Sequence, residues 1–205
     1  MNKQELLTKL VTEGIPALLI QAIAQVDREQ FVPEKLKFYV YEDTALPIAH
    51  GLTLPPLSVV AHMLTALDLQ EGQKVLEIGA GSGYVLALIA KAYPLTECYG
   101  LEINPKVAIE TAKRLEPYKN IHIFAKSGFQ GFAEQAPFDR IIVSAAADSI
   151  DILLDLLPQV IDGGIILGPI GDKLIHIKRT GLTYIKTEYP GTTFVPLLKD
   201  DTKEK

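Results

Sequence analysis

Residues 74–84 read Lys-Val-Leu-Glu-Ile-Gly-Ala-Gly-Ser-Gly-Tyr and join a strand-like run to a turn with three glycines. A helical pattern of apolar residues continues from Gly83 to about Ala92. Because glycine lacks a Cβ atom, the backbone can turn sharply here and approach a ligand closely. The N-terminus of the following helix adds unpaired N–H groups and positive potential. Residues 79–83, hereafter the glycine turn, therefore predict a site for a nucleoside or a carboxylate.

Strand and helix signals alternate on the C-terminal side of the glycine turn, which predicts a parallel sheet with right-handed crossovers. The strand patterns are 74–78, 98–102, 121–124 and 139–143, and the later helical patterns begin after Pro105 and cover 150–157, with Asp162-Gly163-Gly164 as the stop signal. The remaining patterns are strand-like with no helix between them: 165–170, 174–179, 183–188 and 194–198. We therefore predict an α/β fold, a Rossmann-like doubly wound sheet with a C-terminal antiparallel hairpin.

The N-terminal part of the chain has a different pattern. Apolar residues recur at helical spacing in 6–11 and 18–26, and then prolines at 33, 47, 55 and 56 interrupt any regular element. We predict a helical and extended cap with a substrate-side loop over residues 1–56, and a ligand-binding domain over residues 57–205. The charged tail, 199–205, is expected to be frayed.

Composition and charge limit the classes of partner and site that the chain can have. The 205 residues are 48% hydrophobic, and 20 Lys and Arg against 25 Asp and Glu give a net charge of −5, which argues against nucleic acid or an anionic membrane as a partner. The single cysteine, Cys98, excludes an intrachain disulfide, and no metal-ligand spacing is present. Without a signal-like segment or an 18-residue apolar run, we expect a cytoplasmic protein. The sequence does not indicate an oligomeric state.

An acidic residue follows the glycine turn at an informative distance. Glu102 lies 19 residues beyond Gly83, at the end of the second strand, where doubly wound folds place an acid on the ribose hydroxyls. The glycine spacing is G-x-G-x-G, whereas dinucleotide sites have G-x-G-x-x-G, so an NAD-dependent oxidoreductase ranks last among the alternatives. With Glu77 two residues before the first glycine, the turn resembles motif I of class I S-adenosylmethionine-dependent methyltransferases.

A resemblance to one family covers most of the chain. The segments that carry it, in chain order, are Arg28-Glu29-Gln30-Phe31-Val32-Pro33, Tyr41-Glu42-Asp43, Leu46-Pro47-Ile48, 75–84, 136–146 and Phe194-Val195-Pro196-Leu197. Together they resemble the protein-L-isoaspartate O-methyltransferases. The resemblance implies methyl transfer from S-adenosylmethionine to the free carboxylate of L-isoaspartyl residues in damaged proteins. A carboxylate is already ionised at pH 7, so it needs no general base to act as nucleophile.

The same resemblance implies roles for individual residues. Thr53 is the candidate catalytic residue, and no metal site is implied. The candidate substrate contacts are His50, Gly51, Ser144 and Ala145. The candidate cofactor contacts are Glu77, Gly79, Gly81, Gly83, Glu102, Ile103, Ser127 and Gly128.

Two departures from the family pattern support an alternative. Where the family has Gln and Ser in the loop of residues 48–55, hereafter the cap loop, this chain has Leu52 and Pro55, which lack hydrogen-bonding side chains. Lys126-Ser127 stands where the family has Gly-Asp, and that Asp meets the adenine amino group. The alternative is a catalytically weakened relative that binds S-adenosylmethionine or a damaged peptide without efficient turnover. We also expect weaker cofactor binding.

Overall fold

The computed structural model describes residues 1–190 and 194–198. The α-helices are α1 (Lys3–Thr12), α2 (Ala17–Gln25), α3 (Leu57–Ala66), α4 (Tyr84–Ala92), α5 (Pro105–Arg114) and α6 (Ile150–Leu154). The strands are β1 (Leu46–Pro47), β2 (Thr53–Leu54), β3 (Lys74–Ile78), β4 (Glu97–Glu102), β5 (Ile121–Ala125), β6 (Phe138–Val143), β7 (Val160–Ile170), β8 (Lys173–Thr180) and β9 (Thr183–Pro190). The predicted tail, 199–205, lies outside the described residues.

Seven strands form one sheet in the order β5-β4-β3-β6-β7-β8-β9. The strands from β5 to β7 pair in parallel, and β8 and β9 add as antiparallel neighbours. The predicted Rossmann-like sheet with a C-terminal antiparallel hairpin is confirmed. The order reverses between β3 and β6, and doubly wound sheets bind ligands at this point, outside the carboxyl ends of the strands. The crevice here lies between Gly79 after β3 and Ser144 after β6.

The prediction that residues 162–164 end a helix is wrong. Helix α6 ends at Leu154, and the three residues lie inside β7, which shifts register against β6. Gly163 has φ +76°, and a Cβ atom on Gly164 would lie 2.8 Å from the Asp139 carbonyl oxygen. The two glycines allow this irregularity within a strand, so they do not mark its boundary.

The predicted strand at residues 194–198 is also wrong. Pro196 makes an isolated parallel bridge with Ala146, and no further ladder is formed by these five residues. The Ala146 N–H donates to the Val195 carbonyl, and the Leu197 N–H donates to the Ala146 carbonyl. Proline has no N–H group, so Pro196 cannot contribute a donor to a ladder.

The cap packs on one face of the sheet. Buried residues of α1, α2, α3 and α4 belong to one hydrophobic cluster, and α6 packs in a second cluster with the other face. Residues 31–56 are less extended than predicted, because short 3₁₀ helices at Glu34–Tyr39 and Ala49–Gly51 accompany the β1–β2 pair. The proposed boundary between residues 56 and 57 falls at the N-terminus of α3. Within the described ranges, every helix is too short or too polar to cross a bilayer.

Candidate functional site

The glycine turn connects β3 to α4 at the mouth of the crevice. Gly79 and Ala80 both donate their N–H groups to the Leu101 carbonyl, which ties the turn to β4. Gly83 has φ +83°, and a Cβ atom there would lie 2.6 Å from Leu115 Cδ1 and 2.7 Å from Thr111 Cγ2. Only glycine fits at this position, where α4 begins against α5. The turn is therefore held from two sides.

Glu102 closes the crevice beside the glycine turn. Its side chain is 3% exposed, its Oε2 accepts the Gly81 N–H at 3.0 Å, and its Oε1 accepts the Asn104 N–H at 2.9 Å. Each carboxylate oxygen retains a second lone pair for a ribose hydroxyl. Ile103 follows directly and is half-buried. This arrangement fits the ribose-binding acid of a nucleoside site.

Glu77 lies in β3 and is 1% exposed. Its Oε1 accepts the Ser144 hydroxyl at 2.6 Å, whereas Oε2 has no hydrogen-bond partner among the described residues. The pKa of Glu77 is raised to about 8, mainly by burial; the Ser144 hydrogen bond opposes this shift, and the nearby Glu102 carboxylate adds to it. The hydroxyl of Ser144, a predicted substrate contact, is thus bonded to a predicted cofactor contact. An unpartnered buried carboxylate oxygen fits the ammonium group of an amino-acid ligand.

The loop after β5 lies across the end of β3. A Cβ atom on Gly128 would lie 2.5 Å from Ile78 Cγ2, so this glycine permits the close approach. Ser127 Oγ accepts the Phe129 N–H at 3.4 Å. Lys126 Nζ is 2.6 Å from Glu134 Oε1 in an exposed ion pair. The positive charge of Lys126 is therefore offset by Glu134.

The cap loop contacts α5. His50 has φ +61°, and its Nε2 is 3.5 Å from Glu110 Oε1. Gly51 is exposed, and Thr53 is exposed in β2. Ala145, by contrast, lies near the glycine turn, since a Cβ atom on Gly79 would be 3.6 Å from Ala145 Cβ. Ser144 and Ala145 therefore lie beside Glu77 and Gly79. His50, in contrast, lies beside α5.

A cavity of about 280 Å³ lies between parts of the cap and α5. Its lining residues are Phe31, Val32, Pro33, Ile48, Ala49, His50, Leu52, Ser82, Val107, Glu110, Thr111 and Arg114. Thr111 Oγ1 donates to the Gly81 carbonyl at 2.6 Å, and Arg114 Nη1 donates to the Ser82 carbonyl at 3.0 Å. The cavity therefore lies on the carbonyl side of the glycine turn. Sequence reasoning missed Thr111 and Arg114, although their spacing along α5 places them on one helix face.

Arg28 is a second feature that sequence reasoning did not assign. It is 1% exposed, its Nη2 donates to the Pro55 carbonyl at 2.6 Å, and its guanidinium lies 4.7 Å from the centre of the Tyr84 ring. Its Nε and Nη1 have no hydrogen-bond partner among the described residues. Arg28 thus joins the cap, the end of the cap loop and the first residue of α4. The only signal in the sequence was its place in a family-like segment.

In the described part of the chain, no three His, Cys, Asp or Glu side chains lie together as a metal site.

Two solved structures have the same fold. A protein-L-isoaspartate O-methyltransferase structure superposes with a TM-score of 0.87 at 22% identity, covering 95% of this chain and 65% of that longer chain. A crystal structure from Plasmodium falciparum, determined in complex with S-adenosyl-L-homocysteine, has a TM-score of 0.80 at 26% identity and covers 98% of this chain and 100% of that one.

Sequence comparison identifies the family. The protein-L-isoaspartate O-methyltransferase of Ignicoccus hospitalis is 36% identical over 210 residues, which cover 98% of this chain and 99% of the relative. The protein of the same name from Pseudoalteromonas translucida is 40% identical and covers 94% of this chain and 92% of the relative. The family model described as protein-L-isoaspartate(D-aspartate) O-methyltransferase matches residues 1–202. This chain therefore belongs to the protein-L-isoaspartate(D-aspartate) O-methyltransferase family.

Proposed function

We propose that this protein transfers the methyl group of S-adenosylmethionine to the free carboxylate of L-isoaspartyl residues in damaged proteins. The observation that carries the proposal is the contact between the Gly81 N–H and the Glu102 carboxylate beside the sheet's switch point, because it supports a nucleoside site in a chain of this family. The bound Plasmodium falciparum relative holds S-adenosyl-L-homocysteine, the demethylated form of the same cofactor.

The cofactor site takes its contacts from both sides of the crevice. Glu102 would accept hydrogen bonds from the ribose hydroxyls, and Glu77 Oε2 would accept a hydrogen bond from the ammonium group of the methionine part. Bound S-adenosylmethionine supplies a methyl group on a sulfonium, which is the electrophile. The remaining proposed contacts are Gly79, Gly81, Gly83, Ile103, Ser127 and Gly128.

Ser144 and Ala145 are the proposed contacts of the substrate carboxylate on this side of the site. The side chains of Ser144 and Ala145 are small, and both residues follow β6 at the carboxyl edge of the sheet, where a peptide substrate could approach. Thr53 is the proposed catalytic residue of the cap loop, with His50 and Gly51 beside it. No proton has to be removed from an ionised carboxylate, so these residues act by orientation and by excluding water, effects that supply up to roughly 7–11 kcal/mol.

The test uses methyl-labelled S-adenosylmethionine and paired peptides that differ only in Asp against isoAsp. Label in the isoAsp peptide alone is the expected result, and label in neither peptide, or equally in both, would contradict it. The variant Glu102→Gln should weaken cofactor binding about 10-fold or more, because it weakens hydrogen bonds to a charged group. Glu97→Gln, at the exposed start of the same strand, is the matched control and should bind as the unmodified protein does.

A second candidate function is supported by the cap loop. The Leu52 side chain lines the cavity, and the Pro55 carbonyl is bonded to Arg28, so neither residue offers a side-chain donor to a substrate carboxylate. On this reading the chain is a weakened relative that binds cofactor or damaged peptide without efficient turnover. Cofactor binding without label in either peptide would favour it.

A further inference from the structure

The buried carboxyl group of Glu77 is incompletely bonded in either protonation state. If it is ionised, Oε2 lacks a donor. If it is protonated on Oε2, the O–H lacks an acceptor among the described residues. Buried polar groups in folded proteins are nearly always hydrogen-bonded, so an unpartnered one calls for an explanation. A ligand that donates to Oε2 would complete the bonding.

The surroundings of Glu77 favour its neutral form when the crevice holds no cation. From β4, the Glu102 carboxylate repels a second negative charge, and the Cys98 thiol, whose pKa is raised mainly by burial, stays uncharged. Directly after β6, the Ser144 hydroxyl donates one hydrogen bond to Oε1. None of the ion pairs formed by the described residues includes Glu77. Burial raises the pKa of this carboxyl group to about 8, so it carries a proton at pH 7.

The position of Glu77 connects this group to the crevice. It lies two residues before Gly79 in β3, and its partner Ser144 directly follows β6. These are the two strands between which the strand order reverses. A cation that enters at the glycine turn therefore comes to an end of the sheet where the buried Glu77 has no counter-ion among the described residues.

We propose that Glu77 and Ser144 form a proton-releasing contact for the cofactor, an inference that rests on the proposed function. In the unliganded protein Glu77 is neutral. When the ammonium group of the cofactor donates to Oε2, the O–H bond of Glu77 breaks and its proton leaves to solvent, while Ser144 continues to donate to Oε1. Binding then replaces the proton on Glu77 with the positively charged ammonium group of the cofactor. Without this exchange, the site would have to hold either an uncompensated carboxylate or an ammonium group with no anion.

Isothermal titration calorimetry at pH 7 measures the exchange directly. S-adenosylmethionine is titrated into the full chain in buffers of different ionisation enthalpy, such as phosphate and Tris, and the slope of heat against buffer enthalpy counts the protons released. We expect close to one proton per site. The affinity should also rise by up to about tenfold per pH unit between pH 6 and pH 7.5 and level off near pH 8.

Two comparisons assign the proton to Glu77. The variant Glu77→Gln should bind with a slope near zero, and Glu97→Gln should keep the slope of the unmodified protein. Methylthioadenosine, which has the adenosine part but no ammonium group, should bind the unmodified protein without proton release. The ligand comparison needs no variant, so it applies even if Glu77→Gln does not fold, which circular dichroism would show.

The outcomes separate this inference from the proposed function. Cofactor binding with heats that do not depend on the buffer overturns the proton release and leaves the methyltransferase proposal standing. A slope that persists in Glu77→Gln, or that methylthioadenosine reproduces, assigns the proton elsewhere and also overturns the inference. Failure of S-adenosylmethionine to bind in any buffer overturns both.

Discussion

Gly83 combines a left-handed backbone with a lack of space for any side chain. The variant Gly83→Ala should lower the free energy of unfolding by about 2–5 kcal/mol, because a positive φ costs about 1–2 kcal/mol and overpacking costs about 1–3 kcal/mol. Gly14→Ala is the matched control, since Gly14 has φ +80° with no atom within 4 Å of its would-be Cβ. Gly14→Ala should lose only the free energy of unfolding that a positive φ costs, about 1–2 kcal/mol. Equal losses in urea denaturation of the two variants would show that the contacts with Leu115 and Thr111 do not matter.

Glu77 should make the unliganded protein less stable as pH rises. Its native pKa of about 8 lies above its ordinary value of 4.5, so between these values the native state binds more protons than the unfolded state. The contribution is fully present below about pH 4.5 and is lost as the pH rises through 8. Thermal unfolding followed from pH 5 to pH 8.5 should therefore show a smaller decline in Glu77→Gln than in the unmodified protein. Parallel curves would contradict the raised pKa.

At the scale of elements, Arg28 connects the cap loop to α4. Arg28→Met fills a similar volume and removes two buried nitrogens that lack hydrogen-bond partners, which offsets part of the stability lost with the Pro55 hydrogen bond and the Tyr84 ring contact. We therefore expect only a modest fall in thermal stability. The Pro55 carbonyl, however, loses its donor, and the KM for an isoAsp peptide should rise about tenfold or more, because a hydrogen bond from a charged group contributes about 1.5–3 kcal/mol.

Two measurements separate this positioning role from a structural one. Cofactor affinity should stay unchanged in Arg28→Met. The variant Arg28→Lys keeps a charged donor, so its KM should fall between those of Arg28→Met and the unmodified protein. A lower melting temperature with an unchanged KM would mean that Arg28 only supports the fold.

The elements from β3 to β6 were predictable because periodicity and glycine chemistry agree there. The run 74–78 and the glycine turn form locally, and the parallel order follows from the alternation of strands with helices. The start of β7 was not predictable, because Gly163-Gly164 gives the same signal in a strand irregularity as at a helix end. The bond between Ser144 and Glu77 joins residues 67 positions apart, so no local pattern contains it. The same holds for the contact of His50 with α5.

At the scale of the whole molecule, the cap and the sheet share one core. Leu6, Leu19 and Phe31 of the cap belong to the same hydrophobic cluster as the buried residues of α4. A fragment of residues 57–205 would therefore expose the outer face of α4, and we expect it to be unfolded or aggregated. The full chain should unfold in a single transition by circular dichroism and by calorimetry. A folded fragment, or two separate transitions, would show that the cap is independent.

The β1–β2 pair has a consequence for protein engineering. It closes residues 48–52 between two pairs of facing residues, Leu46 with Leu54 and Pro47 with Thr53. Since helices α1 to α3 are part of the core, they cannot be exchanged between homologues without rebuilding the interior. The closed loop, in contrast, is a graftable unit with fixed ends. Because the proposed substrate contacts His50 and Gly51 lie in this loop, transplanting those five residues with both junctions intact would test whether the loop sets substrate preference.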